Sequence, residues 1–185
     1  MSSELVVFTY EHPDRASEVL TNIAKLKREN IQKPLIGIED AAVAVKDPDG
    51  SVRVRQTLEG SLKTSTVTTG GLWGVLVGFL FGGPLLGGLV GAGLSWLLGR
   101  SVDVGINNDF ITKVSEQLQP GKSALLLLVK DTPVDVLAET LNAQGGRLFH
   151  TSFTDEAAAT FTQAAESPEV KALTSRSGAG DLTAS

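Results

Sequence analysis

The pattern of apolar and polar positions predicts five β-strands, placed on either side of a long uncharged stretch. Most of the runs are short, apolar and bounded by turn residues, as buried strands are. SVRVRQT alternates instead, so Val52 and Val54 are predicted to face the core, and Arg53 and Arg55 the solvent. The runs are ELVVFTY (4–10), PLIGI continued after a bend at Glu39-Asp40 by AAVAV (34–45), SVRVRQT (51–57), SALLLLVK (123–130) and RLFHTSF (147–153).

Amphipathic stretches between and after these runs predict helices. The first helix opens at His12-Pro13-Asp14. Asn107 or Asn108 is a suitable N-cap for the second helix, and Thr132 for the third, which Gly145 should end. The later helices cover NNDFITKVSEQLQPG (107–121), TPVDVLAETLNAQGG (132–146) and DEAAATFTQAAES (155–167).

The order of these elements is β-α-β-β-[insert]-α-β-α-β, followed by one more helix. We therefore predict an α+β fold, a ferredoxin-like sandwich into which a hydrophobic helical hairpin is inserted. A different small mixed sheet with the same elements is the alternative. The predicted parts are the first half of the α+β domain (1–63), the Gly-rich hairpin (64–100), the second half (101–166) and a disordered tail (167–185).

Small residues recur every four positions in the uncharged insert. On a helix this spacing places them on one stripe, which lets two helices approach closely. Each glycine in a helix costs roughly 1 kcal/mol relative to alanine, so close packing in an apolar environment must compensate. The residues predicted to mediate hairpin packing and oligomerisation are Gly70, Gly74, Gly78 and Gly82, then Gly83, Gly87, Gly91, Ser95 and Gly99.

The length of the insert favours a hairpin over a single crossing. As one helix, residues 70–99 would span about 45 Å, against a hydrocarbon core of about 30 Å. Gly82, Gly83 and Pro84 supply a turn in the middle, and a hairpin returns both halves of the α+β domain to one side, where they can share a sheet. The residues predicted as anchors at the membrane interface are Lys63, Trp73, Trp96 and Arg100. The alternative for this segment is a hairpin buried between subunits of a soluble oligomer.

Composition argues against several classes of function, and the N-terminal segment indicates a location in the cell. The net charge of −5 argues against a nucleic-acid partner, and the absence of cysteine excludes disulfides and thiolate chemistry. The N-terminal MSSELVVFTYEHPD lacks the basic and apolar regions of a signal peptide. We therefore expect the cytoplasmic membrane, with the α+β domain on the cytoplasmic side, or alternatively a cytoplasmic assembly.

No set of residues predicts catalysis. His12 and His150 lack partners at metal-ligand spacing, and the carboxylates of Glu39 and Asp40 are expected on opposite faces of a strand, as solvated edge positions. Gly91-Ala92-Gly93 lacks the third glycine of a dinucleotide-binding loop, and no G-x-S-x-G is present. We therefore predict that the chain is not an enzyme and that it has no catalytic residues, no metal site and no cofactor.

Four segments form a recognisable series along the chain: LVVFTYEHPDRASEVLTNIAKL, AAVAVKDPDGSVRVRQT, GGLWGVLVGFLFGGPLLGGLVGAGLSWLLG and DFITKVSEQLQPGKSALLLLV. Together they resemble a bacterial family of predicted membrane proteins, the domain of unknown function 1269. The resemblance covers about residues 4–153 and implies a membrane-associated protein with a Gly-rich hairpin; some members look stress-related. It brings no catalytic residues.

The leading hypothesis is a self-assembling membrane protein whose partners are further copies of itself and the lipid bilayer. A closed soluble shell or container, with the hairpins buried between subunits, is the main alternative. A channel is less favoured because the hairpin arms would line a pore with apolar side chains, which dewets. A ligand-sensing module is supported by fold analogy alone.

Overall fold

The computed structural model describes residues 3–29, 37–57, 72–81 and 106–168, which form a five-stranded antiparallel sheet with helices on both faces. The predicted α+β class is confirmed. The strands are β1 (Ser3–Tyr10), β2 (Ile38–Lys46), β3 (Val52–Thr57), β4 (Ser123–Val129) and β5 (Arg147–Phe153). The helices are α1 (Arg15–Arg28), α2 (Leu72–Phe81), α3 (Asn108–Gln117), α4 (Val134–Asn142) and α5 (Asp155–Glu166).

The strand order is β3-β2-β4-β1-β5, so the two most apolar strands lie inside the sheet. β1 pairs with β4 from Glu4↔Val129 to Tyr10↔Ser123, and with β5 from Ser3↔Phe153 to Thr9↔Arg147. Every residue of β4 is buried. A strand covered on both faces carries a continuous apolar run, which is the pattern that SALLLLV has.

The alternation of side chains along β1 divides the core into two layers. Leu5 and Val7 point to the three-helix face, where α2, α3 and α5 pack. Val6 and Phe8 point to the two-helix face, covered by α1 and α4. The sheet is therefore the middle layer of three.

The predicted bend and hairpin in the first half of the chain are confirmed. The register of β2 against β4 shifts between Ile38 and Asp40, at the expected bend. β2 and β3 are antiparallel, and in the turn between them Gly50 has a φ of 87°, which glycine adopts without strain. Val52 and Val54 pack against the core of the three-helix face, and Arg53 is exposed.

Two of the predicted helix-end signals are confirmed, and two are not. α3 ends at Gln117, three residues before the predicted stop at Pro120-Gly121. Asn107 caps α3 by accepting a hydrogen bond from the backbone N–H of Asp109, as predicted. Gly145, expected to end the third predicted helix, has a φ of 74° just beyond α4. The prediction of Thr132 as the N-cap of that helix is wrong: Pro133 is the N-cap of α4 and makes no side-chain capping bond.

Candidate functional site

Helix α2 is the part of the uncharged insert that the structure describes, and it carries no charged side chain. Its sequence, LWGVLVGFLF, has no polar face. A helix that is apolar all round is stable only where protein or lipid surrounds it. Its buried residues are Trp73, Val75, Leu76, Val77, Leu80 and Phe81.

α2 packs on the three-helix face of the sheet, in contact with β3, α3 and α5. The ring of Phe79 meets the ring of Phe161 on α5 edge-on, with centroids 5.4 Å apart at 70°. Phe161 in turn stacks on Phe153, at 6.1 Å and 20°. This aromatic chain links α2 through α5 to the last residue of β5, so α2 is part of the domain's core in this structure.

One charged group fixes the start of α2 to the sheet. The indole N–H of Trp73 donates to Oδ2 of Asp40 at 2.7 Å, and the backbone N–H of Ala41 donates to Oδ1 of the same carboxylate, also at 2.7 Å. Trp73 is only 7% exposed, and a buried indole N–H requires an acceptor. The register of β2 against β4 shifts directly before Asp40, the residue that supplies this acceptor.

Sequence reasoning missed this contact. It assigned Asp40 to a solvated edge and Trp73 to the membrane interface. Neighbouring Glu39 does face outward: it is exposed, accepts from the hydroxyl of Ser3 at 3.3 Å and lies 3.9 Å from the ammonium of Lys130. The alternation of side chains along the strand could have predicted that Asp40 faces the core. Asp40 lies on the same side of β2 as Ala42 and Ala44, which belong to the three-helix face.

Two of the predicted packing glycines fall within α2. Gly74 and Gly78 are both half-buried, one helical turn apart. The interfacial role of Trp73 stays a prediction. The other predicted residues lie outside the described ranges: Gly70, Gly82, Gly83, Pro84, Gly87, Gly91, Ser95, Gly99, Lys63, Trp96 and Arg100.

The histidines make local contacts. The backbone carbonyl of His12 accepts from the hydroxyl of the fully buried Ser123 at 2.6 Å, and Ser123 Oγ accepts from the N–H of Ala16 at 3.2 Å. Nδ1 of His150 lies 3.3 Å from Oε2 of Glu4 on β1. Within the described ranges, no three His, Cys, Asp or Glu side chains come together as metal ligands would.

Tyr10 is the one buried phenol. Its ring lies on the two-helix face, 4% exposed, and its hydroxyl has no hydrogen-bond partner in the structure as described. Burial raises the pKa of Tyr10 to about 12, against a smaller opposing effect of Arg15. A neutral phenol with a raised pKa contributes no acid or base near neutral pH.

Acidic side chains in two surface turns are held by local partners. Hydrogen bonds from Ser51 lower the pKa of Asp49, and Nε of Arg53 donates to Asp47 at 2.5 Å. A hydrogen bond from Lys122 lowers the pKa of Glu11. These contacts fix the loop conformations, and α2 with its sheet contacts remains the candidate site.

None of the helices in the described ranges is long and apolar enough to cross a bilayer.

Comparison with known proteins gives one match. The model of the family described as Protein of unknown function (DUF1269) matches residues 67–166, more than half of the chain, including α2 and every helix and strand described after it. No curated protein and no solved structure matches the chain significantly.

Proposed function

Since the chain belongs to the family Protein of unknown function (DUF1269), whose description assigns no activity, we propose a function from its own residues. The chain is a non-enzymatic, self-assembling protein of the cytoplasmic membrane, with its α+β domain on the cytoplasmic side. The Gly-rich hairpin at 64–100 mediates both insertion into the bilayer and contact between copies. A role under membrane stress is part of the proposal and rests on the family resemblance alone.

The proposal includes a ferredoxin-like arrangement of the domain. In that fold four antiparallel strands follow the order 4-1-3-2, and α-helices cross between them. The order β5-β1-β4-β2 supports this assignment, with β3 as an added strand at the edge. The helices α1 and α4 pack on one face, as the two crossover helices of such a fold do.

The observation that carries the proposal is the all-apolar surface of α2 within a stretch that has no charge from residue 64 to 99. Such a stretch needs a continuous apolar environment, and a bilayer supplies one. Insertion of the complete hairpin would require α2 to leave the sheet. The contact between Trp73 and Asp40 would then hold the hairpin back, and its rupture would accompany insertion.

A closed soluble assembly is the second candidate, and the packing of α2 on the sheet favours it. Because Trp73 binds Asp40 and Phe79 packs against Phe161, α2 already has an apolar environment inside the domain. The rest of the uncharged stretch would then be covered by other copies of the chain. In that case the protein is a shell or container.

Fractionation of the untagged protein tests both candidates. Retention of the full-length chain in carbonate-washed membranes is the expected result of insertion. The detergent-free fraction is sized by light scattering at the same time. A large monodisperse particle that leaves the washed membranes empty would overturn insertion and establish the closed assembly.

A further inference from the structure

The outer edge of β5 is unpaired in the described part of the chain. β5 pairs with β1 alone, along its whole length from Arg147 to Phe153. Backbone N–H and C=O groups of alternate residues therefore point away from the sheet over a strand of seven residues. An unpaired edge of this kind is a template for another strand.

The two edges of the sheet differ in their protection. At the β3 edge, the register against β2 shifts between Val43 and Ala44, and Arg53 is exposed, and both features discourage a further strand. β5 has an unbroken register with β1 and contains no proline. Its only permanently charged side chain is Arg147, at its first residue. β5 is thus the edge that can accept a partner.

We propose that β5 pairs antiparallel with β5 of a second copy of this chain, about a two-fold axis at His150. The two sheets then form one continuous sheet. An antiparallel pair of identical strands satisfies the two-fold symmetry of the commonest oligomers, since each strand offers the other the same surface. This interface lies outside the hairpin and goes beyond the hairpin-mediated assembly proposed above.

The side chains of β5 favour a second copy in this register. Pairing about His150 uses all seven residues, and in two of the pairs a large side chain lies opposite a small one: Leu148 faces Ser152 of the other copy, and Phe149 faces Thr151. In the outermost pair, Arg147 faces Phe153. Leu148 and Phe149 are half-buried at the edge and pack against the two core layers, so the pairing continues both layers. A register shifted by two residues would oppose Phe149 with Phe149 and leave residues unpaired.

The exposure of His150 is compatible with the axis. Its side chain is 55% exposed, beside Glu4. Residues directly opposite in an antiparallel pair have Cα atoms about 4.5–5.5 Å apart. A disulfide accepts separations of about 4.4–6.8 Å. Cysteines at residue 150 of both copies would therefore be within bonding range.

Single-cysteine cross-linking tests the interface, because the natural chain has no cysteine. His150→Cys in the full-length chain is expected to form a disulfide-linked dimer on oxidation, about tenfold or more faster than Thr21→Cys, an exposed control on α1. A mixture of Leu148→Cys and Ser152→Cys chains should cross-link, whereas each of these variants alone should not. The mixture tests the register without altering His150.

Several outcomes would overturn the pairing. One is a rate for His150→Cys equal to that of Thr21→Cys, and another is equal linkage in the mixture and in the single variants. A dimer that forms only after removal of residues 169–185 would assign the edge to the chain's own tail. Washed membranes and supernatant are analysed separately. Cross-linking without membrane retention would contradict insertion alone, and retention without cross-linking would contradict the β5 pair alone.

Discussion

The contacts of a strand side chain in this domain depend mainly on which face of the sheet it lies on. Asp40 and Glu39 are neighbours in sequence, yet Asp40 binds a buried indole while Glu39 meets Ser3 and Lys130 at the surface. Strand geometry predicts that these two carboxylates lie on opposite faces of the sheet. It does not predict which residue each carboxylate contacts, because a partner such as Trp73 is 33 residues away from Asp40 along the chain.

Tyr10 gives a prediction at the residue scale. It is the chain's single tyrosine, so phenolate absorbance reports it alone. In the folded chain the pKa should be about 12, and in denaturant near the ordinary 10.0. Because the unfolded chain loses this proton first, ionisation of Tyr10 leaves the stability of the fold unchanged below pH 10 and lowers it as the pH rises from 10 towards 12.

The variant Tyr10→Phe isolates this effect. It should be more stable at neutral pH by about 1 kcal/mol, since it removes a buried hydroxyl without a partner. It should also lose less stability than the natural chain between pH 10 and 12. Thermal unfolding of both chains across this range measures the difference. Parallel loss in both, with a phenol that titrates near 10 when folded, would contradict the burial of Tyr10.

At the scale of elements, local signals explain most helices and strands. Asn107 caps α3, Thr154 caps α5, and the alternation in SVRVRQT produces a hairpin with its valines turned inward. α2 is different, because a helix without a polar face gives no direction for packing. Its place beside α5 and β3 depends on the aromatic and indole contacts that it makes there.

The contact between Trp73 and Asp40 gives a prediction for α2. Asp40→Ala removes a hydrogen bond to a charged group and should weaken the attachment of α2 by about 1.5–3 kcal/mol. Asp40→Asn, which keeps an acceptor oxygen, should have a smaller effect. If the hairpin inserts, the fraction retained in washed membranes should rise in the order natural chain, Asp40→Asn, Asp40→Ala.

Glu39→Gln is the matched control, because it removes one negative charge from the adjacent, exposed residue. It should leave membrane retention unchanged. Equal retention in all four chains, with a lowered unfolding temperature for Asp40→Ala, would show that α2 stays on the sheet during assembly. That result would favour the closed particle.

At the scale of the whole molecule, the domain is a three-layer core with an uncharged segment attached to one face through α2. α2 thereby connects the stretch that we propose to mediate assembly to the sheet. The edge at β5, unpaired within the described residues, is at the opposite end of the strand order from β3, which α2 contacts. The two surfaces that we propose for association between copies are therefore separate.

The glycines of α2 give a prediction about assembly. Replacing both Gly74 and Gly78 by leucine should reduce the size of the oligomer, since larger side chains prevent close approach of a second helix. The control pair Gly74→Ala and Gly78→Ala keeps the side chains small and should retain the oligomer. Light scattering of the purified chains measures their mass. An unchanged mass for the leucine pair, in a chain that still unfolds cooperatively, would exclude these glycines from the interface.

The α+β class, the presence of all five strands, the bend in β2 and several helix ends could be predicted without a fold. These features depend on periodicity and on local stop signals, which neighbouring residues supply. The predicted strand from residue 34 is described as a strand only from Ile38, and residues 34–36 lie outside the described ranges. The uncharged segment is also evident from the sequence, because residues 64–99 contain no charged side chain.

The strand order, the burial of Trp73 and the pairing of its indole with Asp40 depend on the folded arrangement of the whole domain. Each of these joins residues that are distant in sequence. The environment of α2 could not be derived from its composition, because protein and lipid satisfy an all-apolar helix equally well. The position of β5 at an edge of the described sheet is likewise known only once its neighbours in the sheet are known.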